Sequence, residues 1–278
     1  MTAEPGEIGA FLRARRGQLA PHDYGLPETD SPRKVPGLRR EEVARLAAIS
    51  VDYYTRLEQG RVRASASVLA ALARALRFDE DQQHYLHELA GRTEARPRRR
   101  EPVRRVRPAV QRLLDQLTPT PALVLGNRLD VLAWNSAATG LFTDFSALPP
   151  TRRNYVRLLF THPAIRSMHR EWEHDARDAV AALRMAAATQ GDDPELDRLV
   201  RELSLQDEDF RSWWAEHRVI GSHYGSKHYR HPVVGDLTLD CDTWNSPDGS
   251  GRLMVLTAEP GSPAHDALRI LTSWTADR

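Results

Sequence analysis

The sequence predicts two domains of different class, an all-α domain followed by an α+β domain built on an antiparallel sheet. Three observations lead there. Residues 1–91 read as five short helices with no strand signal. Residues 92–108 form an Arg/Pro-rich stretch that cannot supply core. Residues 109–278 run strand–strand–helices–strand–strand–strand, the order of an antiparallel sheet flanked by helices. A chain of 278 residues is long enough for two domains of ordinary size.

Ile8, Phe11, Leu12, Arg15 and Leu19 suggest the first helix. Pro21 to Gly37, rich in Pro, Asp, Ser and Thr, reads as a loop. Leu38 to Ala47 brings Val43, Leu46 and Ala47 to one face. Ser50 can cap the next helix, which ends at Gly60. Residues 67–76 carry an apolar stripe, and residues 79–91 open with acids and close on Gly91. The linker holds eight arginines and three prolines between Arg92 and Pro108. Mutual repulsion of Arg98, Arg99 and Arg100 favours an extended, solvated chain, with a basic strap on phosphates as the functional alternative.

Past the linker, residues 121–135 give two short strands around Gly126-Asn127. Short helices suit 135–142 and 154–160. One long amphipathic helix at 164–190 places Ile165, Met168, Trp172, Ala176, Ala179, Leu183 and Ala187 at 3.6 spacing. Helices at 194–205 and 207–217 follow. Leu237, Leu239 and Cys241 alternate with Thr238, Asp240 and Asp242, a strand with one buried face. The turn at 246–251 leads into RLMVLTA, apolar on both faces and so a central strand. A last helix occupies 263–274.

Charge divides the chain as the elements do. Residues 1–107 hold 21 Arg+Lys against 15 Asp+Glu, a net of +6, so the remainder holds 18 against 23, a net of −5. The basic half suggests a polyanionic partner, although a chain with only two lysines, Lys34 and Lys227, is arginine-biased throughout. No run approaches a membrane span and the N-terminus lacks an apolar signal segment, so a cytoplasmic protein is expected. One cysteine, Cys241, cannot form an intramolecular disulfide.

The segment LRREEVARLAAISVDYYTRLEQGR (38–61) has helix-turn-helix spacing. It resembles the Cro/repressor (Xre) type in Glu42-Val43-Ala44, Ile49-Ser50 and Leu57-Glu58-x-Gly60. Ile49, Tyr54 and Leu57 would point inward, and Val51, Asp52, Tyr53, Arg56 and Gln59 would face the groove of double-stranded DNA. A recognition helix needs such side chains at its exposed N-terminal face. Arg56 suits bidentate contact with guanine, and Val51 a thymine methyl. Asp52 either accepts from cytosine or only stabilises its helix N-terminus. Ser50 caps that helix at the DNA. Arg39, Arg40 and Arg61 are expected on phosphates, with simple solvation as the plainer reading of the first two. Glu58 is expected to make structural hydrogen bonds.

The second domain resembles the MmyB-like transcription regulators, common in actinobacteria, in which an Xre-type helix-turn-helix precedes a PAS-like ligand-binding domain. The resemblance rests on RREEVA (39–44), SVDYYTRLEQGR (50–61), LAWN (132–135), NYVRLLF (154–160), EWEHDAR (171–177), LR (183–184), FRSWWAEHRV (210–219), HPVVGDLTL (231–239) and TAEPGSP (257–263). It implies a transcription regulator whose PAS-like domain holds a small apolar ligand, with a fatty acid as the family-level candidate. Bottom-up, an apolar cavity with a few polar groups would draw on Trp134, Phe160, Trp172 and Trp214 for its lining. The same aromatics also serve as ordinary core. Arg157, charged within an apolar helix, invites a carboxylate, and Asn135 is read as a ligand contact or a helix cap.

No cofactor, metal or catalytic residue is expected. His223, His228 and His231 with Asp236 have ligand chemistry but unproven convergence. No glycine-rich phosphate loop, nucleophile elbow or H-E-x-x-H motif is present, which argues against an enzyme. Cys241, among inward leucines, reads as a core thiol. The resulting expectation is a ligand-controlled, homodimeric DNA-binding regulator. The alternative is a constitutive DNA-binding protein whose second domain serves dimerisation or partner recruitment without a ligand.

Overall fold

The computed structural model describes residues 6–26, 36–94, 106–190, 193–221, 224–246 and 251–276. They fall into two compact units, the first comprising the five N-terminal helices with residues 187–190, 193–194 and 214–219, the second the remainder.

In the first unit α1 (Gly6–Gln18), α2 (Arg40–Leu46), α3 (Val51–Glu58), α4 (Ala66–Ala75) and α5 (Glu80–Glu94) enclose one core. Phe11 sits at its centre, with ring centroids 5.1 Å from Phe78 and 4.9 Å from Tyr85. Around them Leu12, Leu38, Val43, Tyr54, Leu57, Leu72 and Leu86 are buried. Caps set the helix starts: Ser50 accepts from Tyr53 N–H at 3.1 Å, and the Glu42 carboxylate accepts from Arg39 N–H at 2.6 Å. Gly9 lets α1 touch α3, because an added Cβ would lie 2.1 Å from the Glu58 carbonyl oxygen.

Three expectations for this unit need correction. Leu46 is 38% exposed, because the turn begins immediately after it and carries it past the buried face. Gly91 does not end α5, which continues to Glu94. The loop expected from Pro21 opens with a 3-10 turn at Pro21–Tyr24, and positions 27–35 lie outside the described residues.

The second unit is a PAS-like α+β fold. Strands β1 (Ala122–Gly126), β2 (Val131–Trp134), β3 (Tyr224–His231), β4 (Gly235–Asn245) and β5 (Gly251–Thr257) form one sheet in the order β2-β1-β5-β4-β3, antiparallel throughout. The doubly apolar β5 is central, as its pattern predicts. Helix α6 (Pro108–Gln116), to which the sequence reading assigns no helix, brings Leu114 onto Ala122, Ala133 and Val255 on one face. Register and alternation put Leu123, Leu125, Lys227, Tyr229, Leu237, Leu239, Cys241, Arg252, Met254 and Leu256 on the other, inner face.

The remaining helices are α7 (Ser136–Leu141), α8 (Tyr155–Thr161), α9 (Pro163–Met168), α10 (Trp172–Gln190), α11 (Pro194–Gln206), α12 (Glu208–Ala215) and α13 (Pro263–Ala276). Helix α13 packs on α7 and β4. The single helix expected at 164–190 is two, since His169 is extended (φ −74, ψ 118) and ends α9. Ile165 and Met168 on α9 and Ala176, Ala179 and Leu183 on α10 are all buried, so the apolar spacing continues across the break. The link joins the sheet edge: His169 bridges Tyr229, and Arg170 N–H donates to the His228 carbonyl at 2.9 Å. Beside β2, Asp130 bridges Asn154 and Val131 N–H donates to the Arg153 carbonyl at 2.7 Å.

Candidate nucleic-acid interface and ligand-binding interior

The turn between α2 and α3 places Ala48 at φ 53, and Ile49 N–H closes it on the Ala44 carbonyl at 2.9 Å. Tyr54 and Leu57 then enter the core, while Ile49 is only half-buried. The outward side of α3 carries Val51 (46% exposed), Asp52, Arg56 and Gln59, continued by exposed Arg61. Tyr53 is half-buried, and its hydroxyl donates to the Arg63 carbonyl at 3.0 Å, holding the chain that leaves α3. Arg56 pairs with Asp52 at 3.0 Å, one helical turn away. A pair this exposed contributes only about 0.3–0.5 kcal/mol, so it does not lock Arg56 away from another acceptor.

Glu58 is the structural hub, as expected of it, through partners the sequence does not reveal. It accepts from Arg16 Nε and from Arg40 Nε, each at 2.7 Å, and Arg16 also donates to the Leu38 carbonyl at 2.7 Å. Burial alone would raise the Glu58 carboxyl, but the arginine hydrogen bonds outweigh it and hold the group below its ordinary range. Arg40, expected on phosphate, is thus also part of this buried network. Its Nε belongs to Glu58, and its side chain keeps 41% exposure. Arg39 precedes the first turn of α2 and lies 3.5 Å from Glu41.

In the second unit most residues expected to line a cavity serve as packing. Phe160, Trp172, Phe210 and Trp213 form an edge-to-face cluster with centroids 5.3–6.0 Å apart. Trp172 also donates from Nε1 to the Leu159 carbonyl at 2.9 Å and carries Arg166 3.5 Å above its ring. Trp214 is half-buried and falls in the first unit, outside the interior where the sequence expectation places it. Trp134 remains half-buried on the inner face, 5.3 Å from Phe145.

Asn135 is a cap and a brace. Its Oδ1 accepts from Ala138 and Ala122 N–H, and its Nδ2 donates to the Leu117 and Thr120 carbonyls at 2.7 and 2.8 Å. That uses its hydrogen-bonding capacity and leaves no donor for a ligand. Arg157 is buried and has the carboxylate that its position demands, but the carboxylate is Glu202 on α11. Both residues expected to contact a ligand are thus engaged with internal partners, Asn135 fully and Arg157 through one terminal nitrogen, its Nε being buried without a hydrogen-bond partner.

The sequence reading missed a buried polar cluster where α10 meets β3. Lys227 reaches Asp175 and lies 3.9 Å from Asp178, and Asp175 Oδ2 accepts from His169 Nδ1 at 2.6 Å. Burial would raise the Asp175 carboxyl, yet His169 and Lys227 hold it below the usual carboxylate range. The other ring nitrogen of His169 is buried with no hydrogen-bond partner. Nearby, burial pushes the Tyr155 and Tyr229 phenols well up and the Cys241 thiol up to about 12. The available signal was Lys227 itself, one of two lysines, placed on a strand. His228 and His231 project to opposite faces of β3, and His231 Nε2 bonds to the Gly140 carbonyl at 3.1 Å. They do not converge on a metal, and His223 lies outside the described residues.

Residues 106–271 match the family described as MmyB-like transcription regulator ligand binding domain. The chain belongs to the MmyB-like transcription regulators. Residues 7–86 of this regulator match a helix-turn-helix domain family, so a DNA-binding unit precedes a ligand-binding one. No curated protein matches the chain. Among the described residues no helix is long and apolar enough to cross a membrane, and no group of His, Cys, Asp and Glu is arranged to hold a metal ion.

Proposed function

We propose that the chain is a sequence-specific regulator that reads double-stranded DNA with α3 and is controlled by a small apolar molecule, a fatty acid being the class considered, held in the second unit. The observation that carries the first half is the division of α3: Tyr54 and Leu57 are buried, while Val51, Asp52, Arg56 and Gln59 stand outward from a helix capped by Ser50. That outward set supplies a methyl contact, a carboxylate acceptor, a guanidinium fork and an amide, the groups that discriminate base edges in a major groove. Arg39 and Arg61 flank it and suit the phosphate backbone, which positions a protein without reading sequence.

One such helix spans only a few base pairs, so two copies on a two-fold related site are the expected arrangement. Control by a ligand requires that it bind one arrangement of the two DNA-reading units better than the other, since equal affinity shifts nothing. The family match to a ligand-binding domain supports that half of the reading. The experiment is a selection of binding sites from random duplex DNA by the full chain, with mass spectrometry of the denatured protein to find a co-purifying small molecule. A single enriched two-fold site and an apolar ligand whose removal changes affinity for it are expected. DNA affinity unchanged by stripping the protein would leave constitutive binding instead.

A further inference from the structure

We infer that Arg252 is the residue with which the second unit recognises an acidic ligand, pairing through its guanidinium with the ligand's carboxylate at the inner face of the sheet. The inference rests on the ligand-binding reading above and names the chemical group at which that ligand is held.

Arg252 lies on β5, the central strand, paired with Leu125 on β1 and Asn245 on β4. It shares the inner face with Leu125, two residues before Met254 and four before Leu256, all three buried. On its own face it has apolar Leu125 and Met254 to one side and polar, exposed Asn245 to the other. Arg252 is half-buried, and its surroundings hold its pKa below the ordinary arginine range through burial, with no partner charge opposing the effect. Among the described residues no carboxylate or carbonyl pairs with its guanidinium.

The other cations of this interior are answered. Arg157 has Glu202, Lys227 has Asp175 and Asp178, Arg128 has Asp130, and Arg153 donates to the Leu148 and Ser146 carbonyls. Enclosing a charge without a counter-charge or hydrogen bonds is unfavourable, and folds rarely keep one in an apolar row unless something binds it. Guanidinium offers a planar fork of donors that matches the two oxygens of a carboxylate, and an ammonium would not. The residues beyond it in that row, Leu125, Met254 and Leu256, are all apolar. An anion drawn to the His169–Asp175–Lys227 cluster would instead face two carboxylates, which disfavours it there.

The test uses the full chain with dodecanoate and 1-dodecanol as probes, followed by calorimetric titration and by the shift in melting temperature. Wild type is expected to bind dodecanoate at least tenfold tighter than dodecanol. Arg252→Gln should lose about that factor for the acid and leave the alcohol unchanged, and Arg252→Lys should recover part of it. Unliganded Arg252→Gln should melt no lower than wild type, because among the described residues nothing pairs with the guanidinium. Acid preference retained in Arg252→Gln overturns the proposal and leaves a ligand-binding unit standing. A large drop in its unliganded melting temperature overturns it too, by revealing an internal partner. If wild type binds neither probe, the acyl-ligand reading itself fails.

Discussion

Arg16 on α1 donates from Nε to Glu58 Oε1 on α3 at 2.7 Å, across 42 positions of sequence. The same carboxylate takes Arg40 from α2. The placement of α3 against α1 and α2 therefore hangs on one buried anion held by two cations.

Removing that anion should be severe. Glu58→Ala leaves Arg16 buried without its partner and should cost about 3–5 kcal/mol. Amide hydrogen exchange across α1, α2 and α3 measures it within the first unit alone. The pH dependence has one sign: with the folded carboxyl held low, the stabilisation is complete above about pH 4–5, where the unfolded carboxylate is ionised, and fades as pH falls through the lower folded value.

Gly9→Ala should destabilise the same unit by another route. Its methyl would meet backbone rather than a yielding side chain, so α1 must move off α3. A loss of about 1–3 kcal/mol, read as a lower melting temperature for the first transition, is expected.

On DNA, Arg56→Ala should cost about 1–3 kcal/mol at the specific site and relax preference at one base pair. Arg40→Ala should behave differently from a pure phosphate contact. It should lower the slope of affinity against salt by about one, and also lower protection of α2 and α3 in the free protein, because its Nε is engaged with Glu58. Selected-site sequencing and salt titration separate the two variants.

In the second unit, Asp175→Ala should cost about 3–5 kcal/mol, because it leaves Lys227 only the longer 3.9 Å contact with Asp178 and takes the partner of His169, whereas Asp175→Leu combined with Lys227→Met should recover part of it. Urea unfolding of wild type and the two variants measures both effects. Cys241, with its thiol pushed up to about 12 and buried, should resist alkylation at pH 8 until the unit unfolds.

Much of the fold was legible because its signals are local. Ser50 before Val51 and Gly60 after Glu58 delimit α3, and the doubly apolar RLMVLTA placed β5 at the centre of the sheet. What escaped was long-range. Arg157 reads as a charge waiting for a ligand until α11, 45 residues later, brings Glu202 to it. The break at His169 is set by its bridge to Tyr229, which no 3.6 periodicity can announce. Arg252 escaped for the opposite reason. It opens a strand apolar on both faces, and only the register of three strands gives it a side.

The two short segments that pair with the sheet's margins bear on how copies of the chain can assemble. At β3 the link between α9 and α10 takes up the backbone at His228 and Tyr229, and at β2 residues 153–154 take up Asp130 and Val131. Unsatisfied strand edges are where sheets recruit one another, and at these rungs both margins are already occupied. Growth of the sheet by addition of a strand from another molecule is blocked there. What those rungs leave for a second copy of the chain is side-chain surface, such as exposed Ile270 on α13 or Leu113 on α6.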